Sequence, residues 1–192
     1  MNDLGYVQGR DNAPGLVDQI WIVEAEAVTT PLPTLTGIYG SIANGEGVVD
    51  QLLLSGNIAL SLSRKFGRVY FTDGSGRVEI KVVGARDSKG TETMITFRYP
   101  TINKDSLQMM NRLKNGPLVL IYRQRSNSRL YVCGLQAIDQ TNTVLVGPPV
   151  YLDETTANTG GAPEDENGIT FSFKWNANHG PLEYTGTIDV TP

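Results

Sequence analysis

The chain has 192 residues, of which 40% are apolar and 19% are charged, and its net charge is −4. These values are typical of a globular protein with a substantial core and exclude an intrinsically disordered chain. No apolar run approaches the length of a transmembrane helix, and the N-terminus lacks the basic and apolar regions of a signal peptide. We therefore expect one domain over residues 1–192 that is made and assembled in a cytoplasm.

Charge is distributed unevenly along the chain. Residues 64–129 contain 14 of the 16 bases and only five of the 20 acids, so this middle third is +9 while the two flanks together are −13. Such a basic segment fits a nucleic-acid footprint, or solvated strand faces beside which the flanks pack. It also fits oppositely charged surfaces that meet between copies of the protein. The third interpretation predicts a homo-oligomer.

Apolar and polar residues alternate in several segments, which predicts antiparallel strands with one solvated face. The segments with this period are residues 20–28, 57–63, 77–84 and 169–177. In the last segment four large side chains share one face, and they are Ile169, Phe171, Phe173 and Trp175.

Two long segments lack this period. Residues 29–50 combine prolines and threonines with glycines, and residues 153–168 are acidic and contain no base. Connections of this length are uncommon in a compact domain, so we expect each to be a loop that is either disordered or ordered by a neighbouring molecule. Asp165 and Glu166 offer carboxylates to a divalent cation, but the segment lacks the alternating carboxylates of a calcium loop, and we predict no metal site.

Glycine-bearing turns predict hairpins between the central strands. Residues 73–76 connect two apolar runs, so a hairpin is predicted over 68–84, and residues 85–99 add a further strand to it. A phosphate-binding loop explains the same turn less well, because such loops lead from a strand into a helix. A second hairpin is predicted over 119–136, with its tip at residues 126–128.

One helix is predicted, over residues 104–115. Asp105 followed by Gln108 fits a capping box, with Asn103 as the alternative cap. The glycine and proline at 116–117 end the helix. Its apolar stripe consists of Leu107, Met110 and Leu113. With a single apolar stripe, the helix needs a sheet to lie against.

Three arginines, Arg123, Arg125 and Arg129, flank the tip of the second hairpin. They could contact phosphate, with Tyr122 and Tyr131 available for base stacking. The alternatives are an exposed edge hairpin that charge keeps soluble and a contact between subunits. We favour these two alternatives.

One cysteine, Cys133, and one histidine, His179, restrict the chemistry of the chain. A lone cysteine excludes an intrachain disulfide and a cysteine-based zinc site, and a single histidine provides no second ligand for a histidine metal site. We predict that Cys133 is a small apolar side chain in a strand and that His179 lies in a surface turn. No pair of carboxylates stands out as an acid and a base, so we predict neither an enzyme nor a cofactor.

The order of these parts is itself informative: a start marked by proline and glycine, a strand, a long loop, antiparallel strands, one helix, a hairpin and a closing aromatic strand pair. The most informative segments are RDNAPGLVDQIWIVEAEAV at 10–28 and GITFSFKWNANHGPLEYTGTIDV at 168–190. The pattern resembles the tail tube proteins of tailed bacteriophages, especially those of phages with Bacteroidetes hosts, and the related type VI secretion tube proteins. A tail ring or adaptor protein with the same fold fits it equally.

The resemblance implies a mainly β fold, an antiparallel β-sandwich or barrel with one flanking helix. It implies a virion structural protein that forms a ring, a hexamer or a multiple of six, in the tail tube or tail ring that delivers the genome. Its partners would be further copies of the chain, other tail or connector proteins and DNA in passage, without a membrane. Strands of successive subunits would join into one inner wall, for which residues 52–63 and 77–84 are candidates, and the helix would pack outside, near the seam.

The resemblance also assigns contacts between subunits to the two long loops. Residues 29–50 would form an arm that reaches a neighbouring subunit, and the acidic loop at 153–168 would contact the basic middle of an adjacent copy. The candidate contact residues are Pro31, Pro33, Tyr39, Arg123, Arg125, Arg129, Glu164, Asp165 and Glu166. A wall that lets DNA pass should be polar and often acidic, so either the bases of the middle third face outward and between rings, or the protein is not a simple conduit.

Two other functions are compatible with the sequence. A nucleic-acid-binding β protein would use the basic middle third, although the net acidity of the chain disfavours it. A carbohydrate-binding or capsid-decorating β-sandwich would use Trp175, Tyr184 and Tyr151 as its aromatic side chains.

Overall fold

The structure of the protein, a computed structural model, describes residues 15–36, 53–61, 63–85, 88–138, 143–159 and 167–190. These residues are mainly β with one α-helix among them, so the predicted fold class, a mainly β sandwich with one flanking helix, is confirmed. The elements are β1 (Leu16–Glu24), a 3-10 helix (Ala25–Ala27), β2 (Thr34–Thr36), β3 (Leu53–Ser55), β4 (Gly67–Tyr70), β5 (Arg77–Ala85), β6 (Ser88–Tyr99), α1 (Lys104–Leu113), β7 (Leu118–Gln124), β8 (Leu130–Cys133), β9 (Leu135–Ile138), β10 (Thr143–Val146), β11 (Tyr151–Asn158), β12 (Gly168–Ala177) and β13 (Leu182–Tyr184).

Seven strands form the larger sheet, in the order β2-β3-β13-β8-β7-β1-β4. Its neighbours are antiparallel except for β3 and β13, which are parallel. Strand β1 is buried on both faces. Ile20 and Ile22 belong to the buried cluster on one side of the sheet, and Trp21 and Val23 belong to the cluster on the other side. A strand covered on both faces has no polar side, so the prediction of one wet face is wrong for this segment.

Four antiparallel strands form the smaller sheet, in the order β11-β12-β6-β5, and β9 and β10 pair with each other. Strands β5 and β6 form a hairpin, as predicted for the strand that follows residue 85. Strands β7 and β8 form the hairpin predicted over 119–136, with residues 126–128 in its turn. The sequence therefore identified both of these strand pairs, the second of them with its turn.

The main core lies between the two sheets. The ring of Phe97 on β6 lies 5.5 Å from that of Phe171 and 5.8 Å from that of Phe173, measured between centroids. Aromatic side chains of this size dominate the energetics of a core. The four side chains predicted to share one face of β12 are all fully buried, and they are Ile169, Phe171, Phe173 and Trp175. The predicted core face of this strand is confirmed.

Helix α1 is confirmed, with corrections at its ends and on its packing face. The N-cap is Asn103, whose side-chain oxygen accepts a hydrogen bond from the Ser106 N–H at 2.8 Å. The Ser106 hydroxyl in turn accepts the Asn103 N–H at 2.9 Å, so the capping box does not involve Asp105 and Gln108. The helix ends at Leu113, two residues before the predicted end.

The apolar stripe predicted for α1 is only partly buried. Leu113 is buried and Met110 packs against the main core, whereas Leu107 is 38% exposed. Met109, which was not in the predicted stripe, packs against the core instead. The helix therefore rests on the sheet through its last turn and a half.

The hairpin predicted over 68–84 is wrong. Strand β4 pairs with β1 in the larger sheet, whereas β5 pairs with β6 in the smaller one, so this segment crosses between the sheets. In the connection, the N–H and the hydroxyl of Ser75 both donate to the Thr72 carbonyl oxygen, at 3.0 and 2.6 Å. Gly76 lies against the Phe71 ring, where a Cβ would have no room. Turn residues show that the chain reverses, but they do not show which sheet the next strand joins.

The boundaries of both long loops also need correction. Strand β2 lies within residues 29–50 and pairs with β3, and β11 occupies residues 153–158 of the predicted acidic loop. Thr155 and Thr156 favour an extended chain because they are β-branched. The strand was missed because an edge strand exposed to solvent carries no apolar alternation.

Two predicted strands are shorter than expected. Residues 57–63 show only an isolated bridge between Leu60 and Val28 in their described part, and the strand nearby is β3. In residues 20–28, β1 ends at Glu24 and a 3-10 helix follows. The two segments proposed as inner wall, 52–63 and 77–84, supply strands to different sheets, so they do not form one wall within a subunit.

Candidate assembly surface

The smaller sheet has one face that points away from the core, and hydroxyl and charged side chains occupy it. The hydroxyls of Thr96 on β6 and Ser172 on β12 form a hydrogen bond at 3.1 Å. The Lys174 ammonium donates to the Glu92 carboxylate at 2.7 Å. This hydrogen bond lowers the pKa of Glu92 and raises the pKa of Lys174. Both side chains are therefore charged at neutral pH, and each neutralises the other.

Strand β5 forms one open edge of this sheet, and its polar face carries paired charges. The Arg77 guanidinium and the Lys81 ammonium lie 3.9 and 3.8 Å from the same oxygen of the Glu79 carboxylate. Two bases thus share one acid, which leaves a net positive charge on the edge strand.

The other face of β5 is apolar and largely uncovered. Val78 packs against the main core. Ile80 and Val82, which follow on the same side of the strand, are 54% and 70% exposed. The β5–β6 hairpin therefore extends beyond the larger sheet, which covers only the start of β5. An exposed apolar edge strand is a template for pairing with another chain, and soluble proteins usually cover or interrupt it.

Strand β11 forms the opposite edge, and its chemistry is different. Asp153 and Glu154 are exposed, and the exposed fraction of Tyr151 is 51%. The pairing with β12 shifts between Leu152 and Glu154, which marks a β-bulge. Within the described residues, one sheet therefore ends in a basic and apolar edge on one side and an acidic edge on the other.

The three arginines of the β7–β8 hairpin are engaged within the chain. Arg125 forms an ion pair with Asp73. Arg129 donates to the Glu183 carboxylate at 2.7 Å, and this hydrogen bond raises the pKa of Arg129. The Arg123 guanidinium lies over the Trp21 ring, 5.8 Å from its centroid. A phosphate or a neighbouring subunit would have to compete with these contacts.

The other candidate contact residues are distributed differently. Pro31 is exposed and Pro33 is buried, so only the first is available to a neighbour. Four of these residues lie outside the described part of the chain: Tyr39, Glu164, Asp165 and Glu166. The prediction that Asp165 and Glu166 bind no cation concerns the same undescribed part. The sequence placed all of these residues in long loops, and the structure does not bring the described ones together.

His179 is a buried side chain, which corrects its assignment to a surface turn. Its Nε2 atom accepts a hydrogen bond from the Ala137 N–H at 2.9 Å, and its Nδ1 atom lies 2.6 Å from the Gly180 carbonyl oxygen. The first contact needs an unprotonated Nε2, so the ring is neutral with its proton on Nδ1. Burial lowers the pKa of His179. The side chain thus ties β9 to the end of β12.

Cys133 and two of the aromatic side chains are also inaccessible. Cys133 is fully buried in β8, as predicted for a small apolar side chain, and burial raises the pKa of its thiol. Trp175 and Tyr184 are buried, and the Trp175 indole N–H donates to the Pro148 carbonyl oxygen at 2.7 Å. They cannot form an exposed platform for a carbohydrate, which leaves Tyr151 alone of the three suggested aromatics.

A groove of about 380 Å³ lies between α1 and the edge strand β4. At one end of it, the Glu24 carboxylate forms ion pairs with two arginines. Arg112 of α1 donates to Oε1 at 2.9 and 3.2 Å, and Arg64 lies 3.0 Å from Oε2. No sequence pattern indicates this arrangement, because the three residues come from distant parts of the chain and no spacing relates them.

Comparisons with known proteins add no family. No protein-family model, no curated protein and no solved structure matches the chain. Within the described residues, no helix has the length and apolar character needed to cross a membrane. No group of three or more metal-ligating side chains occurs in that part of the chain either.

Proposed function

We propose that this chain is a structural subunit of a bacteriophage tail, in which copies join through the smaller sheet to form a ring of the tail tube or tail ring. The observation that carries the proposal is the pair of unlike open edges on one sheet. Strand β5 offers exposed Ile80 and Val82 beside two bases, and β11 offers Asp153 and Glu154. Edges of opposite charge favour pairing with each other over pairing with themselves.

Pairing between unlike edges is heterologous, because each copy uses one surface to receive and a different one to dock. Heterologous contacts produce a closed ring when the rotation between copies closes, and a filament when it does not. The strands of the smaller sheet would then continue from copy to copy around a central opening.

The outer face of the smaller sheet suits the wall of a DNA channel. Its hydroxyl pair, Thr96 and Ser172, offers no fixed charge, and Lys174 is neutralised by Glu92. Binding to DNA depends on contacts between its phosphates and basic side chains that are not already paired with an acid. In the middle of this face, on β6 and β12, Lys174 is paired, so a duplex should pass there without being held. The excess base at the β5 edge, where Arg77 and Lys81 share Glu79, would lie at the junction with the next copy. The chain would then act as a passive conduit in the virion, without a catalytic step or cofactor.

The experiment that tests the proposal is negative-stain electron microscopy of the purified chain at increasing concentration, with mass measured in parallel. We expect rings or stacked tubes with a central hole, with a mass that is an integral multiple of 20.9 kDa. Association should weaken as salt rises, because exposed charges are screened at high ionic strength. A chain that remains a featureless monomer at every concentration and at low salt would contradict the proposal.

A further inference from the structure

The groove between α1 and β4 carries an excess of positive charge that the acids of the described residues do not balance. Arg64 and Arg112 share the single carboxylate of Glu24. Lys65 lies 3.3 Å from Asp189, an acid that is itself exposed. Arg68 stacks over the Tyr70 ring, 4.7 Å from its centroid, and no carboxylate of the described residues lies within ion-pair distance of it.

The same groove has an apolar interior. Val69 and Leu113 are buried, and Met109 is partly buried against the main core, and all three line the groove below the basic rim. A basic rim over an apolar floor is complementary to an acidic segment with a small apolar residue next to its acids. A bare inorganic anion would leave the apolar floor unused.

The chain contains a segment of that composition. Glu164, Asp165 and Glu166 are consecutive, Ala162 and Pro163 directly precede them, and residues 153–168 contain no base. We propose that the groove of one copy binds this acidic segment of a second copy. The inference rests on the proposed assembly because the occupant is another copy, and it names a contact separate from the pairing of β5 with β11.

The contact would be weak in isolation and would gain from repetition. Exposed ion pairs each contribute little and are screened by salt. In a ring or between stacked rings, the same contact recurs once per subunit, and the effective concentration of each segment near its groove is high. The groove would thus fix the orientation of neighbouring copies more than it would supply the main association energy.

The test uses a fluorescently labelled peptide of residues 158–168 and the full chain, at protein concentrations below those at which assemblies form. Fluorescence anisotropy at low salt should show saturable binding that salt weakens. A neutral peptide of the same length, which carries the substitutions Glu164→Gln, Asp165→Asn and Glu166→Gln, should bind about tenfold more weakly, since three charge contacts are lost.

Variants of the chain localise the binding. Arg68→Glu should weaken binding of the acidic peptide by about tenfold, because it reverses one charge of the rim. Lys104→Glu is the matched control, since it makes the same change of charge at the other end of α1, and it should leave binding unchanged. Equal binding of the acidic and neutral peptides, or equal losses in Arg68→Glu and Lys104→Glu, would overturn the inference. A short DNA duplex that displaces the peptide at a lower concentration than unlabelled peptide would also overturn it, in favour of a nucleic-acid site.

Failure of this inference and failure of the proposed function give different results. Rings in the microscope with no peptide binding would remove the groove contact and leave the assembly. Peptide binding that depends on Arg68, in a chain that never forms rings, would leave the groove as a site for acidic segments and remove the proposed assembly.

Discussion

Arg129, which directly precedes β8, and Glu183 on β13 form an ion pair at 2.7 Å, although one comes from the basic middle third of the sequence and the other from the acidic C-terminal flank. Lys65 and Asp189 form a second pair of the same kind. The uneven charge along the chain is therefore partly balanced within one folded subunit, as one of the three interpretations of the sequence required. Among the described residues, two bases share one acid both on β5, at Glu79, and in the groove beside α1, at Glu24.

Substitution of Val82 by lysine should prevent association without unfolding the subunit. The side chain is 70% exposed, so we expect the free energy of unfolding to change by less than about 0.5 kcal/mol. A charge on an edge strand blocks strand pairing. Sedimentation velocity and thermal unfolding measure the two effects. Val146→Lys, at an exposed valine of β10 outside the smaller sheet, is the control, and loss of assembly in both variants would contradict a specific role for β5.

Reversal of one charge on either edge should weaken the pairing between β5 and β11. Lys81→Glu makes β5 more acidic and Glu154→Lys makes β11 more basic, so each alone should reduce the fraction of subunits found in rings. The double variant restores opposite charge at every interface and should recover assembly toward the level of the unmodified chain. Ring counts from electron micrographs at low salt measure the effect. Additive losses in the double variant would show that these edges do not meet.

The stability of the fold should fall in mild acid because of His179. Burial lowers the pKa of His179, so as the pH falls below about 6.5 the unfolded chain takes up a proton before the folded chain does. The contribution of this side chain to the free energy of unfolding is therefore complete above that pH. It is lost as the pH decreases toward the lower pKa that His179 has in the folded chain. Protonation of Nε2 also removes the acceptor of the Ala137 N–H.

His179→Phe tests this assignment because it keeps a buried ring and removes the acceptor. We expect a loss of about 1–3 kcal/mol at pH 7.5, the cost of a buried N–H without a partner. The difference from the unmodified chain should shrink between pH 7 and pH 5. Chemical denaturation at a series of pH values measures it, and parallel curves for the two chains would contradict the assignment.

Loss of the Glu24 carboxylate should loosen the attachment of α1. Glu24→Gln keeps the shape of the side chain and removes the charge that Arg64 and Arg112 share. These pairs are largely exposed, so the expected loss is about 0.5–1 kcal/mol of unfolding free energy. Hydrogen exchange in residues 104–113 should become faster relative to the sheets. Glu26→Gln, at an exposed acid two residues away, should have neither effect.

The Cys133 thiol should not react in the folded protein. It is fully buried, so a reagent cannot reach it, and burial raises its pKa, so the reactive thiolate does not form at pH 8. A disulfide reagent at pH 8 should modify it at once in guanidinium, and in buffer only at the rate at which the chain unfolds. Rapid modification of the folded chain would show that β8 opens locally.

The sequence predicted those features that depend on local pattern. The alternation around Phe171 identified the core face of β12, and the turn after Gln124 identified the β7–β8 hairpin. The crossover between β4 and β5 was missed, because a turn of the same composition joins strands within a sheet or between sheets. The edge β11 was missed because its partners are backbone groups of β12, which leave no trace in side-chain polarity.

The candidate surface was predictable only in part. The resemblance directed attention to residues 77–84, but whether Ile80 and Val82 are covered depends on how far the larger sheet extends, which no local pattern encodes. The arginines of the second hairpin were correctly located at its tip, yet their partners Asp73 and Glu183 are 52 and 54 residues away. Long-range pairing decides which charges remain available.

Strand β1 has a further consequence for how this protein folds. Its even-numbered residues Ile20 and Ile22 enter one core, and its odd-numbered residues Trp21 and Val23 enter the other. A slip of one residue would remove the indole from one core and force it into the place of a smaller side chain in the other. Neither core can therefore reach its final packing before β1 is aligned with β7, and the two halves should unfold in a single cooperative transition.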